Sequence, residues 1–125
     1  MKRLFAFAAS AIIATLYTEP ITTAAEWTSD GEIVLENGEA RVVISPAKGG
    51  RIMQYSWKGK KALEPVEAGP GRFDIGPERI VPKRRELWEG VWNGEITGEL
   101  SARVTSVEHK DTGVQLIRDY SLDPS

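Results

Sequence analysis

Apolar and polar residues alternate from Glu32 to Glu36, with Ile33 and Leu35 on one face and Glu32, Val34 and Glu36 on the other. The alternation resumes from Ala40 to Ser45, where Ala40, Val42 and Ile44 oppose Arg41, Val43 and Ser45. A period of two marks an extended strand, because successive side chains leave opposite faces of the pleat. Asn37-Gly38 separates the two runs, and a tight type I′ turn needs residues that tolerate positive φ at that place. A hairpin is predicted. Pro46 has no N–H for a ladder and ends the second strand, and Gly49-Gly50 frees the backbone for a sharp re-entry. The third strand pattern, Arg51 to Trp57, sets Ile52, Gln54 and Ser56 against Met53, Tyr55 and Trp57, closed by Lys58-Gly59. The second set is predicted to be the buried one.

From Glu64 to Gly94 frequent Pro and Gly leave room only for short strands such as Arg72 to Ile75, and for one helical turn at Arg84 to Trp88. Loops of this length inside a compact domain are commonly functional. Phe73, Trp88 and Trp92 supply apolar anchors that favour an ordered loop. Strand character returns at Glu95 to Thr97 and at Ala102 to Glu108. After a turn at Lys110 to Gly113, Val114 to Leu122 forms the last strand, with Val114, Leu116, Tyr120 and Leu122 on one face and Arg118 interrupting it. No mature segment has helical length and period. The class is all-β, an antiparallel β-sandwich.

The N-terminus reads differently. Lys2 and Arg3 precede an apolar stretch of about 14 residues, Leu4 to Tyr17, short of the ~20 that span a bilayer. Thr22 to Ala25 then offer small residues for cleavage after Ala25, so residues 1–25 are expected to be a signal peptide and 26–125 the domain. An uncleaved anchor is the alternative. Export to the periplasm or the medium of a bacterium follows from the first reading. Cleavage lowers the basic residues from 16 to 14 and the acidic ones from 18 to 17, leaving a net charge of −3. That mild acidity argues against nucleic acid and against an anionic membrane surface. Lys83-Arg84-Arg85, bracketed by acids, reads as a solvated loop face. With no cysteine, no disulfide staples the domain, and stability must come from its core.

Familiar catalytic signatures are absent. There is no phosphate-cradling loop and no nucleophile elbow, and one histidine without cysteine excludes a Cys/His metal site. No cofactor is implied. His109 precedes a hairpin turn, where an exposed side chain is expected. Paired carboxylates could serve sugar chemistry, and Asp74, Glu78, Glu86, Glu89 and Glu95 are the candidates in or beside the irregular region. Trp88 and Trp92, four apart in a Gly-flanked loop, form a reasonable platform for the C–H face of a pyranose, although both could instead cover the core. Arg72 could donate a bidentate contact to a sugar, or pair with a nearby acid.

Several blocks carry a resemblance. The Asn-Gly hairpin with Ser45-Pro46 and Gly49-Gly50-Arg51-Ile52 resembles the opening strands of the galactose mutarotase-like β-supersandwich. Gly71 to Glu78, Leu87 to Trp92 and Thr112 to Arg118 are similar to exported proteins of planctomycete-type bacteria related to that superfamily. The resemblance implies a large double sheet that binds sugars across a concave face. It transfers no catalytic residue, because the family's glutamate and histidine motifs have no counterpart here. A complete supersandwich is more than twice as long, so the chain is expected to be an N-terminal portion with unpaired strand edges. Three functions stay open. They are a carbohydrate-associated domain without catalysis of its own, the front of a sugar epimerase, and an interaction module that self-associates through its strand edges.

Overall fold

The computed structural model describes residues 10–16, 22–63, 85–87 and 89–124. Two antiparallel sheets form the sandwich. The larger contains β1 (Ala24–Trp27), β2 (Ile33–Glu36), β3 (Ala40–Ser45), β4 (Arg51–Trp57) and β5 (Lys60–Leu63), in that order. The smaller contains β6 (Asn93–Gly98), β7 (Ser101–Thr105) and β8 (Ile117–Ser121), also in chain order. Each strand pairs with its sequence neighbour, so the larger sheet is a meander built from local turns. Short 3-10 turns occupy Pro46–Lys48 and Arg85–Leu87. Among the described residues no helix is long and apolar enough to cross a membrane.

The first hairpin forms, but its turn is displaced by one residue from the expected place. Asn37 N–H donates to the Ala40 carbonyl, and Gly38-Glu39 are the central pair. Only Gly38 has positive φ, at 88°, which fits a II′ turn rather than I′. Asn37 works through its side chain, whose Oδ1 accepts from the N–H groups of Glu39 and Ala40. The type I′ pair is Lys58-Gly59 instead, with φ of 49° and 74° between the paired residues Trp57 and Lys60. That turn carries the chain into β5, which alternation alone did not announce.

A β-bulge corrects the predicted faces of β4. Val43 lies opposite Gln54 while Ile44 lies opposite Ile52, so Met53 is the extra residue. The bulge shifts the phase of the strand. Ile52 and Tyr55 therefore both pack on the core, and Met53 leaves it for the outer face. Trp57, predicted as buried, is 49% exposed, with the Lys58 ammonium 4.5 Å from its ring centre.

The core joins Ile33, Leu35, Val42 and Ile44 of the large sheet to Ala102 and Val104 of the small one, with Trp92 between them. Ala25, Ile96, Leu116, Tyr120 and Leu122 pack around this centre, so Ala24 and Ala25, which lie before the expected domain start at residue 26, are part of the folded sheet. Gly50, just ahead of β4, lies against the small sheet. A Cβ there would stand 2.6 Å from both Trp92 Cε3 and Val104 Cγ2, and φ is +60°. Only glycine satisfies both conditions.

The C-terminal strands are shorter than their apolar pattern. Ser106 is buried, and its hydroxyl accepts from the Leu116 N–H while donating to the Val107 carbonyl. Gln115 Nε2 donates to the Ser106 carbonyl. Side chains thus take over bonds that a ladder would make, and β7 ends at Thr105 while β8 begins only at Ile117.

Candidate functional site

Glu32, Arg41 and Val43 point away from the core, because their positions alternate with the buried ones on β2 and β3. Gln54, opposite Val43, joins them on β4. Thr28, Lys48 in the 3-10 turn and the bulged Met53 complete a cavity of about 300 Å³ on the outer face of the large sheet. That volume lies at the small end of small-molecule sites. The bulge brings Met53 into its lining beside Gln54.

The lining mixes donors and acceptors around an apolar floor. Arg41 Nη1 donates to Gln54 Oε1 at 3.3 Å, and Arg41 Nε lies 3.8 Å from Glu36 Oε2. A guanidinium offers five N–H groups, so donor capacity remains after these contacts. Thr28 Oγ1 accepts the Glu32 N–H at 3.1 Å and keeps its own proton to donate. Glu32 and Lys48 form no ion pair among the described residues. Val43, 5% exposed, and Met53 give the floor. The arrangement suits a small ligand with several hydroxyls and an apolar face.

The residues singled out from the sequence are not brought together here. Trp92 is 3% exposed, sits in the core against Gly50 and Val104, and has no open ring face for a pyranose. Its place is fixed by the backbone, since Trp92 N–H donates to the Pro46 carbonyl and Gly49 N–H to that of Gly90. The platform reading of Trp92 is corrected accordingly, and core cover is its role. Trp88 and Arg72 lie outside the described residues, as do Asp74 and Glu78. Glu89 and Glu95 are exposed, and Glu95 is paired across the ladder with Arg103.

His109 is the second correction: it is 6% exposed, not open to solvent. The hairpin that follows it folds back, with His109 N–H donating to the Val114 carbonyl. Thr112 Oγ1 lies 2.9 Å from His109 Nδ1, and Glu86 Oε1 lies 3.4 Å from Nε2. The imidazole thereby ties the hairpin to the Arg85–Leu87 turn, whose Leu87 is buried. A cavity of about 470 Å³ lined by Glu86, Val107, Glu108, His109, Lys110 and Asp111 opens beside it. Sequence spacing gave no sign of this pair, because the two residues come from separate parts of the chain. Among the described residues no cluster of three or more His, Asp or Glu is placed to hold a metal ion.

Comparison with protein-family models, with curated proteins and with solved structures returns no match.

Proposed function

We propose that this protein is an exported β-sandwich domain that binds carbohydrate in the groove on the outer face of its large sheet. The groove itself is the observation that carries the reading. Arg41, Gln54, Glu32, Thr28 and Lys48 surround Val43 and Met53, and polar groups around an apolar floor suit the hydroxyls and C–H face of a pyranose. The resemblance to the galactose mutarotase-like superfamily points to the same ligand class. Export rests on the basic start and apolar stretch. Ile12, Ile13 and Leu16 are 86–92% exposed, so the fold leaves that part of the stretch unburied.

The test is a titration of the purified protein with a panel of oligosaccharides, followed by calorimetry and by amide chemical shifts. Binding that perturbs the amides of Arg41, Val43 and Gln54, and that Gln54→Ala weakens about tenfold, is the expected result. Absence of binding across the panel, or shifts confined to other surfaces, would defeat the proposal.

A second reading, self-association, is favoured by β8. This strand is at the end of its sheet, and Ile117 on it is 57% exposed. Sedimentation of the wild type and of Ile117→Lys separates the two readings, since only an edge-paired dimer would dissociate on that change.

A further inference from the structure

We infer that the groove prefers an anionic sugar, one bearing a carboxylate or a sulfate ester. This inference rests on the carbohydrate reading and deepens it. The mature domain is expected to be net acidic, yet the lining of the groove holds two cations, Arg41 and Lys48, against the single acid Glu32. Lys48 forms no ion pair among the described residues. Arg41 is only loosely engaged. Its contact with Glu36 spans 3.8 Å between half-exposed side chains, the kind of surface pair that contributes little.

The two cations also differ in kind. Arg41 presents a planar fork that fits an acid group in two-point contact, while the exposed Lys48 offers a point charge on a flexible stem. Gln54 already accepts from Arg41 through Oε1, which turns its amide N–H groups to the role of donors. Donors therefore dominate this side of the groove. Glu32 and the Thr28 hydroxyl remain for sugar hydroxyls. A neutral sugar would leave Lys48 without an ion-pair partner and Arg41 with only its loose contact to Glu36, and an acidic one would supply a closer counter-charge.

The experiment compares three probes on the full protein by calorimetry: a neutral oligosaccharide, the corresponding uronate oligomer, and a sulfated oligomer of the same length. The expected result is about tenfold tighter binding of one acidic probe than of the neutral one, with the gain shrinking at high salt. Which acidic probe wins identifies carboxylate or sulfate. Lys48→Gln and Arg41→Gln should each bring the ratio of acidic to neutral affinity close to one, with melting temperatures showing that both variants are folded. Equal binding of neutral and acidic probes would overturn the anionic preference and leave the carbohydrate reading standing. A preference that survives in both variants would overturn its assignment to this groove. No binding of any probe would overturn both.

Discussion

Tyr120 links the two sheets through one hydroxyl. It donates to the Gly50 carbonyl at 2.7 Å and accepts from Arg118 Nη1 at 2.7 Å. Burial raises its pKa above the ordinary 10.0, and the Arg118 bond opposes that shift without cancelling it. The native phenol therefore keeps its proton to higher pH than the unfolded one. Its stabilisation is fully present below pH ~10 and is lost as pH rises through the native value, because the unfolded chain deprotonates first. Denaturant melts from pH 8 to 11 should show this decline in the wild type and a flatter one in Tyr120→Phe. Asp119 behaves in the opposite sense. The Arg103 fork at 2.7 and 3.0 Å holds its carboxyl below 3.8, so that contribution is lost as pH falls through the native value. Both groups are exposed and the effect is small. Gly50 gives the sharper single-residue test. Gly50→Ala adds a Cβ against Trp92 and Val104 at positive φ, and should cost about 3 kcal/mol in a urea melt.

At the scale of elements, most strands were legible and their phases were not always so. Ile33, Leu35, Val42 and Ile44 fall on the core face as their alternation requires, since nothing interrupts β2 or β3. Alternation failed at the start of β4, where the bulged Met53 reverses the faces of Ile52 and Met53 while Tyr55 keeps the expected one. It was silent at β1 and β5, whose Ala-Ala-Glu-Trp and Lys-Lys-Ala-Leu segments lack an apolar period and pair because their neighbours offer an edge. The groove was hidden for the same reason, since its residues belong to a run that reads as scaffold. The bulge can be tested directly. Deleting Met53 leaves Ile52 opposite Ile44 and Gln54 opposite Val43, so the core pairs survive in a regular ladder. The deleted protein should fold with a melting temperature close to that of wild type and lose binding at the groove, which loses part of its floor. Collapse of the fold would show instead that the extra residue is needed for curvature.

At the scale of the whole molecule, the question is whether five strands and three strands make one cooperative unit. The three-stranded sheet approaches the larger one where β6 and β7 meet β1 and β2. Three connections at separate points close the sandwich. Tyr120 bonds to Gly50, the Gly90 and Trp92 backbone bonds to the Pro46–Gly49 turn, and Asn37 Nδ2 donates to the Asp123 carbonyl. Trp92 fills the space between the sheets, so neither core half is complete without the other. One transition is therefore expected, with tryptophan fluorescence and far-ultraviolet circular dichroism melting at the same denaturant concentration. Trp92→Ala should lower the stability of both sheets together by about 3–5 kcal/mol. Hydrogen exchange adds the spatial check: amides of β2, β3 and β7 should be the most protected, and those of the terminal strand β5 the least. Two separated transitions, or a Trp92 variant that loosens the small sheet alone, would mean that the sheets are stable independently and that the groove-bearing sheet folds without its partner.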